Sequence, residues 1–395
     1  MFDVVAAAAA IAPRIRAAAD TIEAERQLPD DIVEAMAEAK LFTLLAPAAY
    51  GGAEAEPTTA IRAIELISAA DGSAGWLAQN GSFESALLGW LSPEAIAGMR
   101  ALESRGARDI LVGGANLPQA TAVEVEGGYV IDGRWDFVSG VMHSNWILGG
   151  FGILDGPGGA RRVGADGEPL QRIAFIPHGD GEVLDTWNVM GMRGTGSNDF
   201  VVRDLFVPAE RTMWYADPAP FPGPRYRRPY VGAWGWSLHG GNSLGMARGA
   251  IEDLSALAQT HDSKHSTTLL RNRPHVQRAI AEAEAIVRSA RAFLFEAVEE
   301  AWIAANNDAP DAVRLNWEAR LALMHSAHEA LRAVQLLYDA AGTNAIFTAH
   351  RIERALRDLN VAKHHVAASK QHYESVGSIL LGADNPATLP LDPAQ

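Results

Sequence analysis

His364 and His365 stand side by side in NVAKHHVAA, inside a stretch whose apolar spacing predicts a helix over roughly 351–382. Adjacent side chains on a helix diverge by about 100°, so one of the two points inward. An inward imidazole titrates near neutral pH and can serve as acid, base or hydrogen-bond donor beside an electron-rich cofactor. A core histidine satisfied by one bond fits the same residues. A second candidate is MRGTGSNDF, residues 192–200, where two glycines, Thr195, Ser197 and Asn198 crowd into a loop between strands. Successive N–H groups in such a loop can cradle an anion or a cofactor edge. A well-specified turn fits the spacing equally. Ser139 closes WDFVSG at a strand end with no base beside it in sequence, and on pattern alone it is a serine bonded to the backbone.

Several chemistries are excluded. The 395-residue chain has no cysteine, which removes disulfides, thiolate catalysis and cysteine-ligated metals. It has no GxGxxG opening a βαβ unit, no GxxxxGK[ST], no HExxH and no GxSxG. The groups His143/His261/His265 and His364/His365/His372 do not predict a metal site. His365 and His372, for instance, are separated by about 10 Å of helical rise. The formal net charge of −15 opposes nucleic-acid binding and reads mainly as solubility.

The elements that must position these residues fall into three parts, predicting a multidomain α+β fold. Hydrophobic residues make up 48% and charged residues 21%, ordinary values for a large buried core. Residues 1–112 read as an N-terminal helical domain. IVEAMAEAKLF and TTAIRAIELISAA carry helical spacing, and Ser92-Pro93 forms a cap with proline at the first helical position. Residues 113–212 read as a β domain, barrel or sandwich. TAVEVEGGYVIDGRWDFVSG alternates around turns at Gly127-Gly128 and Asp132-Gly133, and NWILGGFGI, QRIAFIP, VLDTWNV and DFVVRDLFVP follow as strands. Residues 213–395 read as a four-helix bundle of long helices, with Gly342 as a C-cap and ADNPATLPLDPAQ as a loose tail. The alanine-rich N-terminus follows Asp3 rather than a basic residue. It reads as a helix of a cytoplasmic protein rather than a secretory signal, and no stretch is long and apolar enough to span a membrane.

With this order of parts, five segments resemble a known family: ADGSAGWLAQ (70–79), DGRWDFVSGVMHSNW (132–146), WNVMGMRGTGSNDFVVRDLFVPAERT (187–212), AAGTNAIFTAHRIERALRDLNVAKHH (340–365) and a terminal SILLG. They resemble the acyl-CoA dehydrogenase superfamily, and most closely its oxygen-using branch. That branch comprises the group D oxygenase components of two-component flavin-dependent monooxygenases, such as 4-hydroxyphenylacetate and steroid-phenol hydroxylases and dibenzothiophene monooxygenase. The resemblance spans about residues 15–382.

It implies an enzyme that takes reduced flavin (FMNH2 or FADH2) from a separate NAD(P)H:flavin reductase by diffusion. Dioxygen would form a C4a-hydroperoxyflavin, and a small aromatic or heteroaromatic substrate would be hydroxylated. Ser139 and His365 would be catalytic. Asn116, Trp135, Phe137, Val138 and Ser139 would line the flavin. Arg271, Gly342, Thr343 and Asn344 would approach it from a neighbouring subunit of a homotetramer. Trp76, Phe83, Met142, Trp146 and Trp236 suggest an apolar substrate pocket, and Arg357-Asp358 a buried charge pair. The tyrosine-glutamate-glycine motif of many dehydrogenases reads HHVAA here, although Glu84 or Glu65 could stand in as the base. An acyl-CoA dehydrogenase or related flavin oxidase is therefore the alternative.

Overall fold

A computed structural model describes residues 2–102, 110–165, 167–227, 230–262, 267–348 and 350–383. His265 and nearly all of the terminal tail lie outside these residues. Five helices come first: α1 (Val4–Glu25), α2 (Asp30–Glu38), α3 (Pro57–Ala70), α4 (Gly72–Ala86) and α5 (Pro93–Ala101). Asp3 caps α1 by accepting from the Val5 and Ala6 N–H groups, and Ile11, Ile15, Ala19 and Ile22 follow at three and four residue spacing on its buried face. Asp71 separates α3 from α4 and caps the latter by accepting from the Ala74 N–H at 2.9 Å. Such a cap contributes about 1 kcal/mol. It also fixes where α4 starts, and so which of its residues face the site.

The middle of the chain is one seven-stranded mixed sheet, ordered β5-β6-β2-β1-β3-β4-β7. Its strands are β1 (Val112–Val125), β2 (Gly128–Trp135), β3 (Trp146–Leu154), β4 (Gln171–Pro177), β5 (Glu182–Leu184), β6 (Asp199–Pro208) and β7 (Thr212–Met213). β1 and β3 run parallel, and the other pairs are antiparallel. The β1–β2 hairpin turns at Gly127, whose φ of 79° suits glycine. Asp132-Gly133 is not a second turn. It lies within β2, at a shift of register against β6. Of VLDTWNV only Val183 and Leu184 are in a strand, because the Asn198 side chain takes the N–H groups of Thr186 and Trp187 that a ladder would need.

Five helices follow: α6 (Val231–Thr260), α7 (Pro274–Asn306), α8 (Ala312–Ala341), α9 (Arg351–Ala362) and α10 (Gln371–Leu380). α7 packs along α8, while α6 packs on α8, α9 and back onto α3. One apolar core therefore runs from the first helices through the last ones. The helix predicted over 351–382 is broken. α9 stops at Ala362, and His365 has extended backbone (φ −62°, ψ 144°). Its own Nδ1 accepts from the Ala367 N–H at 3.2 Å, a local bond that competes with helix continuation.

Candidate active site

A cavity of about 610 Å³ opens where α4, α6, the end of α9 and the β1 side of the sheet meet. Trp76, Gln79, Asn80, Phe83 and Glu84 reach it from α4, at the spacing that keeps one helix face together. Trp236 and His239 reach it from α6, and His364 and His365 from the turn after α9.

At its floor a chain of hydroxyls crosses between domains. The Trp76 Nε1–H donates to Ser139 Oγ at 3.1 Å. Ser139 Oγ lies 2.9 Å from Ser197 Oγ, which lies 2.7 Å from Thr195 Oγ1. The Thr195 hydroxyl meets the Met192 carbonyl at 2.9 Å, and a carbonyl only accepts. That last bond fixes the direction of the chain. Thr195 spends its proton on Met192, so Ser197 donates to Thr195 and Ser139 donates to Ser197. In this arrangement Ser139 offers the cavity a lone pair, backed by an indole N–H.

Beside this chain sits a cluster of three rings. Trp76 makes edge contacts with His239 and His365, at centroid distances of 5.2 and 5.3 Å, and the two histidines stack at 5.4 Å. Burial lowers the His365 pKa to about 4, so the ring is neutral near pH 7. Because Nδ1 takes the Ala367 N–H, the proton resides on Nε2. His239 is pushed well below its usual range by burial and by the His365 ring. Its Nδ1 faces the Gln79 amide nitrogen at 3.5 Å, and its Nε2 is buried without a partner.

The loop carrying Thr195 and Ser197 is clamped by α9. Asp358 accepts from the Met192 N–H at 2.5 Å, and Arg357 donates to the Met190 carbonyl at 2.5 Å. Any side chain at Gly191 would strike the Arg357 backbone, so glycine permits this close approach. Arg357 pairs with Glu23 and Glu353 rather than with Asp358. The expected Arg-Asp pair is thus two separate anchors for one loop.

The other expected residues divide. Trp76, Phe83, Asn116, Phe137, Ser139 and His365 all line the cavity. Trp135 and Val138 do not. Both are fully buried in the sheet core, where the Trp135 N–H donates to the Gly150 carbonyl at 2.7 Å. Phe137 has a positive φ of 56°, which breaks strand alternation and turns Asp136 and Phe137 outward between them. Trp146 is buried in a second cluster under α5, and Met142 packs beside Gly196; neither lines the cavity. Arg271 bonds Gln259, and Asn344 bonds the Asp262 carbonyl. With Gly342 and Thr343 they form a surface group off the cavity. Glu65 is held by Arg291 at 2.8 Å and is also remote from it. No three histidine or carboxylate side chains among the described residues could hold a metal ion.

Gln79 closes the ADGSAGWLAQ segment, while His239 had no signal in the sequence beyond its spacing from Trp236, three residues apart in a helix rich in small residues.

The cavity fits a planar, partly polar ring system. Its mouth exposes apolar side chains, with Phe137 at 65% and Met190 at 58%, surface that a ring would cover. Helices before and after a mixed sheet, packed into one core with this cavity where they meet the sheet, are the arrangement of an acyl-CoA dehydrogenase-type flavoprotein. The acyl-CoA dehydrogenase N-terminal domain family matches residues 5–95, and the C-terminal domain family residues 237–370. Indole-3-acetate monooxygenase of Pseudomonas putida is 31% identical over 369 residues, covering 93% of this chain and 91% of the relative. The flavin-dependent monooxygenase oxygenase subunit HsaA of Rhodococcus jostii is 29% identical, covering 91% and 92%. The crystal structure of 3-HSA hydroxylase from Rhodococcus sp. RHA1 superposes with a TM-score of 0.85 at 26% identity, over 98% of this chain and 99% of that one. The chain belongs to the acyl-CoA dehydrogenase superfamily, as a flavin-dependent monooxygenase of the two-component oxygenase branch.

Proposed function

We propose that this enzyme hydroxylates a small aromatic molecule held between Trp76, Phe83 and Trp236, with Ser139 and His365 at the reacting end of the cavity. Reduced flavin, when bound, activates dioxygen for transfer to the substrate, and a separate reductase supplies it. The observation that carries the reading is the meeting of the hydroxyl chain from Ser139 with the neutral ring of His365, both contacting Trp76.

Each residue then has a task. Asn116, Phe137 and Ser139 hold the flavin from the sheet side. The Nε2–H of His365 supplies a hydrogen bond to negative charge developing on oxygen, in a site where low dielectric strengthens it. The aromatic walls exclude water, which keeps stray protons from diverting oxygen to hydrogen peroxide. The division into 1–112, 113–212 and 213–395 gives each wall its own domain.

A dehydrogenase reading lacks the base in its usual place. The stretch that reads HHVAA brings His364 and His365 to the cavity instead of a glutamate. Glu84 is the one glutamate lining the cavity among the described residues, and it comes from α4.

We also infer a cytoplasmic homotetramer. No helix among the described residues is long and apolar enough to cross a membrane. Ile346 and Phe347 are 61% and 54% exposed near Asn344, apolar surface suited to cover by another subunit. Arg271, Gly342, Thr343 and Asn344 would then reach a neighbour's flavin.

The test is turnover with a flavin reductase, NADH, FMN or FAD and a panel of phenols and indoles under 18O2. One labelled oxygen atom in an aromatic product supports the reading. Acyl-thioester oxidation without reductase refutes it.

A further inference from the structure

None of the roles above uses Glu84, yet it is 5% exposed and lies on the cavity wall. It stands two turns along α4 from Trp76, on the same face as Gln79, Asn80 and Phe83. Its Oε2 is buried with no hydrogen-bond partner.

The charge around it is one-sided. Among the described residues lining the cavity there is no lysine or arginine. The other acid, Asp136, is exposed. A buried carboxyl with no cation beside it keeps its proton. A negative charge on Oε2 would go unmet there, so the carboxyl keeps an O–H to offer to the cavity. Leaving such a donor unmet is costly, so a ligand that meets it is favoured over one that does not.

We propose that Glu84 orients the substrate and selects its charge: its carboxyl O–H donates to an oxygen or nitrogen acceptor on an uncharged aromatic molecule. This rests on the reading that the cavity takes an aromatic substrate. An arene carboxylate would bring a buried anion to a wall without cations. An ammonium would have to ionise Glu84 before pairing with it.

Three probes with one ring separate these cases: indole-3-acetamide, indole-3-acetate and tryptamine. Their binding to the full-length, flavin-free protein is measured by calorimetry at pH 7 for wild type, Glu84→Gln and Glu84→Leu. Glutamine can donate through its amide nitrogen where the acid offers its O–H, so it copies the protonated acid. The expected result is that wild type binds the amide at least tenfold more tightly than the acetate or tryptamine. Glu84→Gln keeps amide affinity within about threefold, and Glu84→Leu loses tenfold or more while its circular dichroism and melting temperature show a folded protein. The proposal is overturned if the acetate matches the amide, if Glu84→Leu binds the amide as wild type does, if tryptamine is preferred and lost in Glu84→Gln, or if none of the three binds. Because no oxygen chemistry is involved, a failure of the monooxygenase reading appears separately, as amide binding without any oxygenated product.

Discussion

The Trp76 indole N–H donates to the Ser139 hydroxyl across 3.1 Å, joining the N-terminal helices to the sheet at the floor of the cavity. The bond pins the head of a one-way hydroxyl chain that ends on the Met192 carbonyl. Ser139→Ala leaves the Trp76 N–H and the Ser197 hydroxyl to find new partners in a buried site. Stability should fall by about 1–3 kcal/mol, read by urea titration. Peroxide per reduced flavin should rise. Trp76→Phe removes the indole donor and leaves a smaller ring beside His365, so it should raise peroxide while also losing some packing.

His365 should matter for coupling more than for folding. Replacing it with alanine removes a donor whose ring is neutral near pH 7. Product per reduced flavin should drop by about 10²-fold, with hydrogen peroxide making up the difference. Full product yield in that variant contradicts the assigned role.

Asp358 and His365 impose opposite pH dependences on stability. Burial raises Asp358 from 3.8 to about 7, so between those values the native state holds a proton that the unfolded chain has lost. Stability from this group falls as pH rises through that window and stays low above it. Burial lowers His365 from 6.5 to about 4, so between those values the unfolded chain binds a proton that the native state refuses. Stability from this group falls as pH drops through that window. Asp358→Asn keeps an acceptor for the Met192 N–H without the ionisation cost. Its melting temperature relative to wild type should rise from pH 5 to pH 8, whereas that of His365→Asn should be highest near pH 5.

The exposed pair Ile346 and Phe347 gives a test of assembly. Light scattering at micromolar concentration should show a tetramer. Phe347→Asp should dissociate it and weaken flavin binding, because Arg271 and Asn344 would no longer reach a neighbour. A wild-type monomer contradicts the inferred assembly.

Much of this was legible in the residues. Helical spacing, Ser92 as a cap and the alternation around Gly127 are local signals, and each survives in the fold. Ser139 and His365 stood out through motif context, and both reach the cavity. Orientation was harder to read. Trp135 and Phe137 are two residues apart and would share a face in a regular strand, but the left-handed backbone at Phe137 parts them. His239 was silent because its partners, Trp76, Gln79 and His365, come from distant elements. The break after Ala362 depends on a side-chain cap that propensity does not foresee.

Stopped-flow mixing tests whether this cavity protects reduced flavin while it handles oxygen, without knowledge of the substrate. Protein carrying reduced FMN or FAD is mixed with dioxygen, and the return of oxidised-flavin absorbance is timed against free flavin. A marked delay is expected in wild type, shortening in Ser139→Ala and His365→Ala. Return at the rate of free flavin, with both FMN and FAD, would contradict it.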